Sequence, residues 1–480
     1  MDGLNPSQYK AVLHRGEHLL IVAGPGTGKT HTITRRIAHL IPSLGPDEKI
    51  LAITFTNKAA GQMKDRLTAL GVPLTKTFVG TFHGFCLRLL RDFWAETALP
   101  KDFKVMNPDE IQGFDKSALE RISLMKATQL AIDPDEEYKS YQRYLRQNSA
   151  IDFDDILREA VSLLENEDIV SQVRARYRHI FVDEYQDSNL IQNALLKLLV
   201  TDGVSLTAIG DPNQSIYGFR GSQVALFGRF KEDFPGAIEL TLAENYRSAS
   251  NLLAASSQVM GGLDLLAKLD TKGHLVMHDA SSDRAEADYI AHQIEKMVGG
   301  MDMLSARGAQ RSFGDIAILY RLNAQRHVIA QALDHLSIPY QVSQKPPKSD
   351  VYTDEAMLGQ FEEELDYNVE KVSLLTLHAA KGLEFPVVFI IGCEDKILPL
   401  DLEGMKGDVK EERRLFYVGM TRAKEHLCLS RSLRRQMFGR TLQNGPSPFL
   451  ADIAEELKAY EAARRKPAKI DRDAGQMKLF

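Results

Sequence analysis

Two short stretches carry residues that do chemistry only in company. The first is "AGPGTGKT", Ala23, Gly24, Pro25, Gly26, Thr27, Gly28, Lys29 and Thr30. Glycines at this spacing let backbone N–H groups close around phosphates at the head of a helix. Lys29 is then placed to reach the β and γ phosphates of a nucleotide, and Thr30 to hold Mg²⁺. The second is "IFVDEYQDS", residues 180–188, where an apolar run ends abruptly in acid. A phosphate-binding loop needs a further acid for the metal and a group that orients the attacking water. Asp183, at the strand end, fits the metal, and its neighbour Glu184 fits the water. Asp187 or Ser188 is expected to cap the helix that follows, "NLIQNALLKLLV".

These residues need elements to hold them. Leu19 to Val22 read as a buried strand, and helical periodicity begins at Lys29. The chain has 480 residues, 44% hydrophobic and 26% charged, which is ordinary for a globular protein of two or more domains. There is no run of 18 apolar residues and no basic-then-apolar leader at the N-terminus, so neither a membrane span nor a secretory signal is expected. Cys86, Cys393 and Cys428 lie far apart and form no metal-ligand spacing. Reduced thiols in a cytoplasm are expected. A net charge of −6 gives no hint of a nucleic acid partner, which would need a local basic surface.

Further motifs follow in a fixed order: "TFTNKAAGQMKDRL", "GTFHGFCLRLLR", "GDPNQSIYGFRG", "ENYRS", "LHAAKGLEFPVV" and "RRLFYVGMTRAK". With "LNPSQYKAV" near the N-terminus, this set resembles the UvrD/Rep-like superfamily 1 (subgroup A) DNA helicases over nearly the whole chain. The resemblance implies an α/β fold of two RecA-like P-loop NTPase domains, with ATP and Mg²⁺ in the cleft between them and 3′→5′ movement on DNA. Gln8 would read the adenine edge, Tyr246 would stack on the base, and Glu384 would touch the ribose. Gln214 would sense the γ-phosphate. Arg247 and Arg422 would be arginine fingers from the second domain. His31 stands where the family commonly has arginine, and Phe219 where it usually has tryptophan.

Single strands are held by aromatic stacking and cationic contacts to phosphate. Phe55, Phe82, Tyr217 and Phe219 fall within motifs beside Thr56, Asn57, Thr81, His83 and Arg220, and Thr376 and His378 add a contact from the second domain. "HLCLSRSLRRQMFGRTLQ", His426 to Gln443, reads as strand, basic turn, strand. In the family a hairpin here splits the duplex, and Phe438, near Arg434, Arg435 and Arg440, is the candidate wedge.

The expected division is a first RecA-like domain at 1–91 and 151–245 and a second at 246–342 and 371–456. Residues 92–150 form a reduced helical insertion in the first. Residues 343–370 are a remnant linker where the family carries a second accessory domain. The tail, 457–480, is polar and expected to be flexible; its end, Gln476, Met477, Lys478, Leu479 and Phe480, resembles the peptide that binds the bacterial sliding clamp. The whole reads as a monomeric, cytoplasmic, nucleoid-associated helicase of DNA repair or replication. Alternatives are a translocase that strips proteins with little unwinding, and a clamp-recruited adaptor switched by ATP. No motif excludes RNA by a 2′-hydroxyl contact.

Overall fold

The computed structural model describes residues 3–16, 18–201, 203–299, 311–342 and 369–461. Six strands form a first sheet: β1 (His18–Ala23), β2 (Lys49–Thr54), β3 (Thr77–Thr81), β4 (Tyr177–Val182), β5 (Ser205–Gly210) and β6 (Ile238–Leu242). Their order is β3-β2-β4-β5-β1-β6 and every pairing is parallel. Segments such as "HLLIVA" and "KILAIT" are apolar almost throughout, as a parallel sheet covered on both faces requires. Alternation splits them between two cores. Leu20, Leu51, Ile53, Ile180 and Val182 face one side, and Leu19, Ile21, Ile50, Ala52 and Phe181 the other.

The second sheet repeats the plan with β7 (His274–Ala280), β8 (Ile316–Tyr320), β9 (Tyr340–Val342), β10 (Val372–Thr376), β11 (Phe385–Ile390), β12 (Ala423–Ser432) and β13 (Ala459–Glu461). Its order is β9-β10-β8-β11-β12-β7-β13, again parallel at every pairing. Leu275, Leu319 and Leu427 enter one core and Val276, Ile318 and Cys428 the other. These are the two RecA-like layers expected from the sequence. All three cysteines are buried free thiols.

The helices of residues 116–147 pack a small core of their own from Ile111, Ile122, Tyr141, Leu145 and Ala150. Below it Lys126 is buried between Asp152 (2.6 Å) and Asp155 (2.7 Å). The two halves also meet through a helix and a loop. On the helix Val409–Met420, Arg414 Nε donates to the Ser215 carbonyl at 2.6 Å and Glu411 accepts from Gly218 N at 3.0 Å.

Two expectations are corrected. Asn189, not Asp187 or Ser188, caps the helix Leu190–Leu199, because its side chain and that of Gln192 exchange bonds with each other's backbone. The tail does not begin at 457: Ala459–Glu461 pairs with β7 and extends the second sheet. The clamp-like residues Gln476, Leu479 and Phe480 and most of the 343–370 linker lie outside the described residues. Among the described residues no helix is long and apolar enough to cross a membrane.

Candidate active site and adjoining aromatic track

Three neighbouring strands of the first sheet end in the same place. β1 delivers the glycine-rich loop, β4 delivers Asp183 and Glu184, and β5 delivers Asp211 and Gln214. They open on a cleft of about 430 Å³, a size in the usual range for ligand sites. Gly24, Gly26, Gly28, Lys29 and Thr30 of the loop, with Tyr246, Arg247, Lys381, Glu384 and Arg422, also line it.

The loop's glycines are set by close approach. At Gly26, with φ at +66°, a Cβ would stand 2.5 Å from Arg247 Cβ and 2.7 Å from Asn245 Nδ2. Gly28 is left-handed at φ +84° and leads into the helix Lys29–Leu40. Lys29 Nζ donates to Ala23 O at 3.3 Å and lies 4.0 Å from Glu184 Oε1. Thr30 and Asp183 both line the cleft. A hydroxyl and a buried carboxylate are the hard oxygen donors Mg²⁺ takes alongside nucleotide phosphates, so these residues fit that ion.

The adjacent acids are pulled apart electrostatically. Burial, aided by the Glu184 charge, pushes Asp183 up to about 7. Burial also opposes the charge on Glu184, but Lys29 and Lys381 outweigh it and hold Glu184 at about 2. Glu184 is therefore a fixed anion able to accept a hydrogen from water. Its backbone is left-handed, with φ at +51°, an uncommon state for a residue with a side chain.

Gln214 joins the two domains. Its Nε2 donates to Asp211 at 2.7 Å and its Oε1 lies 3.4 Å from Arg422 Nη2. Arg422 is buried and bonded otherwise to the carbonyls of Val418 and Leu383 and to the Thr421 hydroxyl. Burial and the neighbouring Arg247 lower it to about 9, so it stays charged at neutral pH. Arg247 pairs with Glu384 at 2.6 Å, and Lys424 pairs with the same carboxylate at 2.7 Å.

Gln8 is buried beside the loop: it takes part in a capping box with Asn5 and donates to Thr27 O at 3.0 Å. The exposed Tyr246 ring has its hydroxyl within reach of Asn5 and Glu244. His31 lines the cleft, its basicity lowered by burial and by Arg35 and Arg66.

Sequence reasoning passed over several groups here. Lys381 lay inside a quoted motif, yet only the structure shows it paired with the buried Asp187 and donating to Gln214 O at 2.7 Å. Asn245 donates to Pro25 O at 2.6 Å and accepts from the backbone of Arg247 and Ser248, tying the loop to the second domain. Arg36 is buried and, among the described residues, pairs with no carboxylate. It donates to the carbonyls of Ala11, Val12 and His14 and to the Thr207 hydroxyl, and so anchors the helix that carries Gln8. The spare carbonyls at a helix end are natural partners for a cation. No local signal marked it.

The track residues divide. Phe55 stacks on Tyr217 with centroids 5.1 Å apart, Phe219 lies 6.1 Å from Tyr217, and His378 meets Phe219 edge-on at 5.5 Å. Arg220 sits over Tyr217 and Phe219, and Lys381 is 5.0 Å from the Tyr217 ring. Phe219 is 59% exposed. Phe82 stays in the core, and the half-buried His83 stacks instead on Phe153 at 3.6 Å. Thr56, Thr81 and Thr376 accept backbone N–H bonds at the turns where they lie, and Asn57 opens the helix Asn57–Ala69. Phe438 stands apart, at the tip of a hairpin of Arg435–Met437 with Arg440–Leu442. Phe438 and Gly439 both have positive φ, as a tight two-residue turn demands, and the ring is 59% exposed.

Comparison with known proteins bears on this arrangement. The family model for the UvrD/REP helicase N-terminal domain matches residues 4–137 and 114–235, and that for the UvrD-like helicase C-terminal domain matches 240–346 and 349–434. ATP-dependent DNA helicase UvrD1 of Mycobacterium tuberculosis is 28% identical, over 98% of this chain and 87% of its own length. DNA helicase II of Escherichia coli is 28% identical, over 95% and 88%. ATP-dependent DNA helicase PcrA of Staphylococcus epidermidis is 27% identical, over 95% and 87%. The Escherichia coli alignment runs over 645 positions against 480 residues here, so at least 165 positions have no counterpart in this chain. With both halves matched in order and the motifs gathered in one cleft, this chain belongs to the UvrD/Rep-like helicases.

Proposed function

We propose that this chain is an ATP-driven DNA helicase that steps 3′→5′ along a single strand. The observation that carries the reading is one loop. Residues 214–220 hold Gln214 beside Arg422 in the nucleotide cleft and Tyr217, Phe219 and Arg220 in the aromatic cluster. Whatever moves Gln214 moves the track.

The loop Gly24–Thr30 and Lys29 hold the nucleotide's phosphates. Thr30 and Asp183 would hold Mg²⁺, which would supply positive charge against those phosphates. Glu184, kept ionised, accepts a hydrogen from the attacking water. Arg247 and Arg422 place positive charge on the transferring phosphoryl group only when the second sheet closes on the first. Closure carries His378 and Lys381 toward Tyr217, and release after hydrolysis lets them withdraw. Gln8, Tyr246 and Glu384 hold adenine and ribose, which requires Glu384 to exchange a cation for a hydroxyl. Thr56, Asn57, Thr81, His83 and Thr376 lie along the strand's path, and Phe438 meets the duplex.

The same reading makes 1–91 with 151–245 the first motor domain and 246–342 with 371–461 the second. It makes 92–150 and 343–370 the reduced insertions, and Gln476, Leu479 and Phe480 a contact for a sliding clamp. Repair or replication by a monomer is the setting that goes with it.

The test is strand separation on a duplex with a 3′ single-stranded tail, alongside a 5′-tailed duplex and an ATPase assay. Unwinding of the 3′-tailed duplex alone supports the proposal; unwinding of the 5′-tailed duplex overturns the direction. The length difference from the relatives favours one second reading, a translocase that displaces proteins. Its signature is ATPase stimulated by single strands with no strand displacement.

A further inference from the structure

The arginine finger and the hairpin tip lie at opposite ends of one strand. Arg422 immediately precedes β12, and the hairpin begins three residues after its end. At roughly 3.3 Å per residue, β12 spans about 30 Å. It pairs with β7 over residues 426–432 and with β11 at Ala423 and over residues 426–429, with a register shift between the two β11 stretches. Both ends are tied into the sheet, Arg422 O accepting from Phe385 N at 2.9 Å and Leu433 N donating to Ala280 O at 2.8 Å.

The far end of the strand is clamped. Arg435, at the root of the hairpin, is 3% exposed and sits between two wholly buried carboxylates. Its Nη2 lies 2.6 Å from Glu286 and 2.6 Å from Glu394. Neither acid is there for Arg435 alone. Glu286 also accepts from Gly392 N at 3.1 Å and from the Ser430 hydroxyl at 2.7 Å. Glu394 accepts from Ser432 N at 2.9 Å. The helix Asp283–Val298 adds a second grip: Gln436 N donates to Asp283 at 2.9 Å, and Asp283 N donates to Arg434 O at 3.2 Å.

Buried ion clusters are poor sources of stability, because desolvation consumes most of the attraction. This one joins a helix, the segment after β11 and the hairpin root, and its buried charges fix their distances more tightly than the backbone bonds beside it alone. The basic turn read from the sequence is accordingly not all a phosphate-facing surface, since Arg435 points inward and Arg440 pairs with Glu403 at 2.8 Å.

We infer that Arg435, held by Glu286 and Glu394, is a positioning residue that makes the hairpin rigid to the motor, so that closure at Arg422 reaches Phe438 undamped. The inference rests on the helicase reading. Its test is the number of base pairs separated per ATP hydrolysed by the full-length chain. Arg435→Met should lower that ratio by about tenfold, with single-strand affinity and DNA-stimulated ATPase within about twofold of the parent. Arg435→Lys should recover part of it. A purely structural role would lower the melting temperature but leave the ratio of the folded fraction unchanged, and that result overturns the inference. If Arg435→Met does not fold, Asp283→Ala loosens the second grip and is read in the same way.

Phe438→Ala separates the two ideas. A lowered ratio in Phe438→Ala with a normal one in Arg435→Met sinks the clamp and keeps the wedge. A normal ratio in Phe438→Ala with a lowered one in Arg435→Met keeps the clamp and sinks the wedge.

Discussion

The nucleotide cleft and the aromatic track are neighbours built on opposite terms. The cleft is a meeting of charges taken out of water: burial pushes Asp183 and Asp187 up and Arg422 down, while Lys29 and Lys381 hold Glu184 down against it. The track is made of rings and neutral imidazole, with Phe219 and Arg220 left exposed. The difference follows from the partners. A phosphoryl transition state needs charge fixed in advance. A strand that must slide needs surfaces that grip any base and let go.

That contrast can be broken by mutation, most forcefully in the cleft. Arg422→Ala should lower ATP turnover by roughly 10³-fold or more, the usual worth of an arginine finger. Single-strand affinity measured without nucleotide should not change; loss of both would mean that the two regions are not separable. Lys29→Ala and Glu184→Gln should each cost roughly 10² to 10³-fold in turnover while circular dichroism stays at the parental signal. Near-normal ATPase in either would end the assignment. On the track, Phe219→Ala should weaken single-strand binding by about 1–3 kcal/mol, read as a rightward shift of the DNA titration in the ATPase assay. Its ATPase without DNA should stay within about twofold of the parent. Equal loss with and without DNA would contradict a track role.

The smallest effect concerns pH. Burial is the main force pushing His83 and His378 down to about 3, so both stay neutral in the folded protein at pH 5 to 8. DNA affinity should therefore show no step from either imidazole in that range. Stability behaves differently. Because the folded pKa lies below the unfolded value of 6.5, the unfolded chain binds the extra protons. Stability present above about pH 6.5 is lost as pH falls below it. By pH 5 each histidine should cost on the order of 1 kcal/mol after allowance for its partial exposure, and denaturant titrations of His378→Asn against the parent at pH 7 and 5 would measure it.

What was legible in the sequence was local. The glycine-rich loop and the strand-tip acids announce themselves by spacing, and the parallel sheet by its continuous apolar runs. What was not legible depends on partners distant along the chain. Nothing near Asp187 says that Lys381, 194 residues away, pairs with it, and so it read as a helix cap. Nothing near Arg36 says that three carbonyls at the end of the first helix converge on it. His83 sits in a motif expected from the sequence to contact DNA, but the ring it meets, Phe153, arrives from beyond the helical insertion. Arg435 looked like one of several basic turn residues until its two buried acids were placed.

Among the described residues, the backbone passes from the first sheet to the second only once, through Ala243 to Ala249. Each side of that crossing keeps a complete sheet with apolar cores on both faces. The protein is therefore two sheets on a single described tether, and a cut at Ala243 leaves each sheet with all its strands. Separately expressed fragments ending and beginning there should fold alone and bind ATP weakly or not at all. Mixed together, they should regain hydrolysis in proportion to their concentrations, turning an intramolecular cycle into an assembly that a diluted sample switches off.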